Sequence, residues 1–248
     1  MKLALVTRSD DSFSEIASLS HPILRKYADR IGADFVSLGK KFDAPNLDKL
    51  GSSHYRIFAL YDLFNEYERI ISMDTDVLIS PMCPDLFKLI DKGCIGTVYE
   101  DMGSRKDDRR NRIRLVQERW GNVGWSRGYL NTGVFVCSKQ HAKIFQTNNG
   151  KYWEDLGYDD VHLGWMIHNL KMVVSPLHYS YNHQSMFSEP WNGSPDRLDS
   201  FIIHYSGAGK FPGSGWQNCG DWYDPDIREK HRLKIMRKDY DNWYGEKS

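Results

Sequence analysis

The sequence carries no excess of either charge: 33 Lys and Arg stand against 33 Asp and Glu, and the formal net charge is zero. A chain without a global field does not gather nucleic acid or an anionic membrane, so no nucleic-acid partner is expected. Cysteine is scarce: Cys83, Cys94, Cys137 and Cys219 are scattered with no C-x-x-C pair. That argues against a zinc site and against a disulfide framework, and suits a reducing compartment. No apolar run approaches the roughly eighteen residues that a membrane span requires. The run from Leu3 to Val6 is too short for a signal peptide. A soluble, cytoplasmic protein is the expectation. Internal repeats and low-complexity tracts are also missing.

What is present is a large apolar and aromatic content, 40% and 13% of 248 residues, ample for one large α/β domain or two small ones. Leu3–Thr7 reads as a strand that ends in the polar loop Arg8 to Ser12. Apolar residues at Ile23, Leu24, Tyr27, Ala28 and Ile31 have helical spacing, with Pro22 suited to the first turn and Gly32 to the stop. Asp34–Leu38 reads as a second strand. A strand–helix–strand series implies parallel pairing through right-handed crossovers. Lys40 to Ser53 reads as a loop, Tyr55 to Tyr67 as a helix, Pro81 to Asp91 as a turn and helix, and Cys94–Tyr99 as a strand. Met102 to Gly128 is crowded with arginine; it reads as a solvated helix or loop, or else a lid facing a polar acceptor. Tyr129–Cys137 reads as a strand, Val161 to Leu170 as an amphipathic helix, and Phe201–Tyr205 as a last strand. The charged stretch after Trp222 reads as a solvated terminal helix, with weak peripheral contact to a membrane surface as the alternative.

The chemistry concentrates at Arg69 to Ile79. There an apolar run ends in Asp74-Thr75-Asp76 and a second apolar run follows. In open α/β sheets, ligands bind beyond the carboxyl ends of the strands, which is where these carboxylates fall. Two adjacent carboxylates repel unless a cation lies between them, and hard oxygen ligands suit Mg²⁺ or Mn²⁺. A solvated turn is the plainer alternative. Arg56 either reaches an anion at the crevice or is a solvated surface residue. Gly133, inside a strand, marks a bulge or a close backbone approach. Asp159 and Asp160 precede the amphipathic helix, where capping accounts for one acid without requiring both. His204 ends a strand and is followed by Gly207-Ala208-Gly209-Lys210, a turn that suits phosphate.

The order Thr7-Arg8-Ser9-Asp10-Asp11, Asp74-Thr75-Asp76, Asn131-Thr132-Gly133, Asp159-Asp160 and His204 to Lys210 resembles the nucleotide-sugar glycosyltransferases of the GT-A fold. It is most similar to glycosyltransferase family eight, the glycogenin and lipopolysaccharide galactosyltransferase group. The resemblance covers roughly residues 1–212, and H-x-x-G-x-x-K is its most specific element. It implies a single Rossmann-like α/β domain over 1–220, with a central mixed, mostly parallel sheet flanked by helices, and a charged helical tail over 221–248. It implies that Asp74, Asp76 and His204 hold Mn²⁺ or Mg²⁺. Thr7, Asp10 and Arg8 would contact the nucleoside of a UDP-sugar donor, and Lys210 with the Gly207 backbone the diphosphate. Asn131 and an acid of the Glu100-Asp101 pair would contact the sugar. Asp159 and Asp160 would be catalytic, although Asp160 stands where the family has Gln, and Phe211-Pro212 stands where it has Pro-Trp. The implied reaction moves a hexose, glucose or galactose, to a glycan or other hydroxyl acceptor, with retention favoured over inversion.

Two other functions fit parts of this pattern. In a phosphohydrolase of the haloacid dehalogenase type the first Asp of a D-x-D is a phosphate nucleophile, but that fold places it on the first strand. A non-catalytic sugar-binding protein would use Trp191, Trp216 and Trp222 as stacking faces.

Overall fold

The computed structural model describes residues 1–9, 13–39 and 52–245. Asp10, Asp11 and most of the loop expected from Lys40 to Ser53 lie outside the described residues. Strands β1 (Leu3–Arg8), β2 (Asp34–Leu38), β3 (Arg69–Asp74), β5 (Cys94–Tyr99), β6 (Leu130–Ser138) and β7 (Val173–Pro176) form one sheet in the order β2-β1-β3-β6-β5-β7. β2, β1 and β3 run parallel, as do β5 and β7, while β6 runs antiparallel to both of its neighbours. The second apolar run becomes β4 (Val77–Ile79), which pairs antiparallel with β8 (Ile202–His204).

The apolar runs are buried on both faces, and alternate residues serve different cores. Leu5, Ile71, Met73 and Val136 pack with Ile23, Leu24 and Tyr27 of helix α1 (Ser14–Ile31). Ala4, Val6, Ile70 and Cys137 pack with Ile113 and Val116 of α2 (Lys106–Trp120) and with Val161, Leu163 and Ile167 of α3 (Tyr158–Asn169). Among the described residues no helix is long and apolar enough to cross a membrane.

Three expectations need correction. α1 begins at Ser14, so Pro22 lies inside it rather than in its first turn; Gly32 does end it, with φ 68°. Ser20 and Ile16 are buried about one and two turns before Ile23, and that packing carries the helix across the proline. Tyr55 to Tyr67 is not one helix: Ser52–Tyr55 and Leu60–Leu63 are single α turns on either side of the 3₁₀ turn Arg56–Ala59. Tyr55, Ile57, Phe58 and Leu60 are all buried, so this segment is held from several sides rather than along one stripe. Helix α4 (Pro225–Tyr244) is not solvated all round, because His231, Ile235, Met236 and Asp239 are buried along it. Asp239 receives both Arg197 Nε at 2.7 Å and Nη2 at 2.8 Å, and the Tyr205 hydroxyl at 2.7 Å.

Candidate active site

β3 and β4 join at Asp74-Thr75-Asp76, at the carboxyl end of a strand in the middle of the sheet. β8 brings His204 beside this turn through the Val77–His204 pairing. His204 Nε2 lies 3.4 Å from Asp74 Oδ2 and 3.4 Å from Asp76 Oδ1. Ligands about 2.1 Å from a common Mg²⁺ or Mn²⁺ stand about 3 Å apart when adjacent and about 4 Å when opposite. The three ligand atoms all lie within 4.8 Å of one another, so two carboxylates and an imidazole fit a divalent cation here.

The imidazole is set for that role by a hydrogen-bond chain. Asn131 Nδ2 donates to Glu100 Oε2 at 3.2 Å, so Asn131 Oδ1 accepts, from Asn182 Nδ2 at 2.8 Å and from the Gly133 N–H at 3.0 Å. Asn182 Oδ1 must then accept the remaining bond, from His204 Nδ1 at 2.8 Å. With Nδ1 donating, the Nε2 lone pair faces the carboxylates. Gly133 explains the Asn-Thr-Gly signal. A Cβ there would overlap His204 Cε1 and Nδ1, and the β5–β6 register slips between Thr97 and Val98, so close approach and bulge are both present.

Each aspartate divides its oxygens. Asp74 turns Oδ2 to His204 and Oδ1 to Arg8; Asp76 turns Oδ1 to His204 and Oδ2 to Arg232 Nη1, 3.1 Å away. Burial alone would raise the Asp76 pKa, but Arg232 and His204 outweigh it and hold the carboxylate below its usual range. Burial likewise opposes the charged form of His204, and Asp76 and Asp74 overcome it and raise the imidazole.

The acid pair of α3 serves the same cavity. Neither Asp159 nor Asp160 caps the helix, whose N-cap is Gly157 with no side-chain cap bond, so capping does not account for them. Asp159 Oδ2 accepts the Thr132 hydroxyl at 2.8 Å and faces Arg8 Nη1 at 3.4 Å, and Oδ1 lies 3.7 Å from His54. Burial would raise it, but His54, Arg8 and Thr132 bring it below the ordinary value. Among the described residues, Asp160 Oδ1 accepts a backbone N–H from Thr132, at 2.8 Å, and no side-chain donor. Burial, then the charges of Asp159 and Glu100, push Asp160 well above the usual carboxylate range. Two adjacent carboxyls driven apart in this way mark a division of roles.

Arg8, Asp74, Asp76, Asn131, Asp159, Asp160, His204 and Gly207 therefore line one cavity of about 290 Å³. Thr7, Arg56, Glu100, Asp101 and Lys210 do not line it. Thr7 is buried against Thr75, and Arg56 is buried rather than solvated. Glu100 is held by Arg109 and Asn131. Asp101 accepts the Gly128 and Tyr129 N–H groups, the latter at 2.9 Å, and Arg110 at 3.1 Å. The arginine-rich stretch is thus not wholly solvated. Lys210 Nζ sits 4.3 Å above the Trp222 ring and 5.0 Å above Trp216. His54 and Arg232 also line the cavity and were not singled out in the sequence, while Thr132 was read only as the middle of Asn-Thr-Gly. They are ordinary residue types whose partners lie far away in the chain, and only the preference of buried carboxylates for cations could have hinted at them.

The family model for Glycosyl transferase family 8 matches residues 6–216. No curated protein sequence matches the chain. A glycosyltransferase involved in glycosylation of the major capsid of PBCV-1 superposes with TM-score 0.57 at 14% identity, over 96% of this chain and 100% of that one. The galactosyltransferase LgtC, with donor and acceptor sugar analogues, gives 0.52 at 12% identity over 95% of each chain. The glycosyltransferase GlyE of Streptococcus pneumoniae TIGR4 gives 0.51 at 13% identity, over 98% of this chain and 64% of that one. At such identities these likenesses establish a shared fold.

Proposed function

Since the chain belongs to glycosyl transferase family 8 and is a glycosyltransferase of the GT-A fold, we propose that it transfers a hexose, glucose or galactose, from a UDP-sugar to a hydroxyl of a glycan or similar acceptor. The work would be done in the cytoplasm, with Mn²⁺ or Mg²⁺ held by Asp74, Asp76 and His204. The observation that carries this reading is the convergence of those side chains, with His204 3.4 Å from each aspartate, in the cavity that also holds Asp159 and Asp160. The position of the D-x-D favours it over a dehalogenase-type phosphohydrolase, because Asp74 ends the third strand and not the first.

Breaking the sugar–diphosphate bond leaves negative charge on the departing phosphate, and a bound divalent cation would stabilise that charge. The chain's residues do the rest. Arg8, fixed between Asp74 and Asp159, pairs with both carboxylates and orients them. Asn131, held by Glu100, offers the sugar a fixed polar edge. Asp160 faces the cavity with a raised pKa, so it can exchange a proton, and in its ionised form it can steady the sugar as it becomes oxocarbenium-like. We favour retention of anomeric configuration, because the segment from His204 to Lys210 matches a retaining pattern.

The test is turnover of a panel of nucleotide sugars with Mn²⁺, read as UDP release, with the product anomer assigned by NMR. Asp76→Asn serves as the control, since exchanging a carboxylate for a neutral amide should abolish metal-dependent UDP binding. Release of phosphate from a generic phosphomonoester, with no nucleotide sugar consumed, would defeat the proposal.

A further inference from the structure

The family model ends at residue 216, yet Arg232 of α4 lines the donor cavity. We propose that the Arg232 guanidinium binds the diphosphate of the nucleotide sugar, so that the C-terminal helix carries part of the donor site; this rests on the donor reading above.

Three observations lead there. The first is position. Asp76 presents Oδ1 to His204 and Oδ2 to Arg232, so the guanidinium flanks the carboxylate on the side away from the imidazole. A diphosphate that shares the cation with Asp76 comes within reach of it. Arg232 holds Glu229 through Nη2 at 3.4 Å, and its Nε is buried without a hydrogen-bond partner. A donor remains for a planar, two-point grip on phosphate.

The second is the placement of Lys210, the residue that the family pattern gives to the diphosphate. Its ammonium is engaged by the faces of Trp216 and Trp222 and does not line the cavity. Burial, with the charges of Arg105 and Arg228, lowers its pKa. The cation that does face the cavity on this side is Arg232.

The third is rigidity. Residues 232, 235, 236 and 239 fall on one face of α4, with Ile235 and Met236 in the core and Asp239 locked to Arg197 and Tyr205. Arg232 is therefore delivered by a docked helix rather than by a tail. An arginine merely buttressing Asp76 would have the same neighbours, so the experiment has to separate diphosphate binding from support of the metal ligand.

Full-length wild type, R232M, R232K and K210M are titrated by calorimetry with Mn²⁺ alone, and with UDP and UMP at saturating Mn²⁺; thermal melts verify folding. Wild type should favour UDP over UMP. R232M should lose about tenfold to a hundredfold in UDP affinity, the weight of a charge-assisted bond, while UMP and Mn²⁺ affinities stay within about threefold. R232K should recover part of the loss, and K210M should lose less than R232M. Equal losses of UDP and UMP, a loss of Mn²⁺ affinity that accounts for the UDP effect, or unchanged UDP binding would overturn the proposal. R232K decides the matter by the same criteria if R232M does not fold. Failure of the wild type to bind UDP with Mn²⁺ would overturn the donor reading itself, and this inference with it.

Discussion

Asp160 and Asp159 are neighbours in sequence but not in circumstance. Arg8, His54 and Thr132 occupy Asp159, whereas Asp160 has a backbone N–H and two nearby negative charges. Asp160→Asn keeps the shape and the Thr132 bond and removes the ionisable carboxyl. Turnover should fall by about 10²–10⁴ with UDP affinity nearly unchanged, as steady-state kinetics beside calorimetry would reveal. A large loss of UDP affinity would take Asp160 out of the catalytic role. Gly133→Ala tests the imidazole: the added methyl must displace His204, so Mn²⁺ affinity should drop about tenfold to a hundredfold, measured by titration of Mn²⁺ alone. At this scale, residues with distinctive chemistry were legible. D-x-D, N-T-G and the strand-end histidine announced themselves through type and spacing. Asn182, His54, Arg8 as a link between two acids, and the diversion of Lys210 to two indoles were not, because each depends on a partner far along the chain.

Among the elements, strands were read best, since a strand is a short run with apolar residues closed by polar ones or glycine; the edge strand β2 and the buried β5 match the expected bounds residue for residue. Helices were read less well. α1 carries a proline in its interior, and the segment 55–67 breaks into turns because tertiary packing, not one amphipathic face, holds it. α4 is the sharpest case. Its many lysines and arginines suggested a solvated helix, and its few buried residues, spaced three and four apart, were easy to overlook. Asp239→Asn should show what that face is worth. It leaves the Arg197 guanidinium half-buried with a neutral partner, so stability should fall by about 3 kcal/mol in urea denaturation. Arg237→Gln, on the exposed face, should leave the midpoint where it is.

For the whole molecule, buried histidines predict how stability varies with pH. His162 is wholly buried, accepts the Trp153 N–H at Nδ1 and faces the Gln146 carbonyl through Nε2 at 2.9 Å; burial lowers its pKa to about 4. His183 lies between the Ser200 and Ser188 hydroxyls, and burial with the Arg197 charge lowers it to about 4 as well. An unfolded histidine takes up a proton near pH 6.5, and these two resist until about pH 4, so each withdraws stability as pH falls through that interval. Asp160 and Glu229 act in the opposite direction there, their raised pKa values favouring the folded state at the acid end, but His21, His141, His168 and His231, all lowered chiefly by burial, side with His162 and His183. His54 and His204, both raised, contribute stability that is complete below pH about 6.5 and lost as pH climbs through their folded values. Without added metal, the denaturation midpoint should therefore peak near neutrality and decline on both sides, the acid limb continuing below about pH 4 as Asp76 and Asp159, held low in the fold, lose their advantage over the unfolded carboxylates. A midpoint level from pH 6.5 to 4 would contradict this burial.

By itself the sequence determined the α/β class, most of the strands, and the residue types of a carboxylate–imidazole centre. All of these are encoded in residue types and in patterns only a few positions long. Tertiary structure alone decided which cation meets which acid, that the C-terminal helix reaches the cavity, and that Lys210 turns away from it. Those outcomes arise where strands and helices distant in sequence are pressed together. Burial then makes an unpaired charge so costly that geometry, not local pattern, selects its partner.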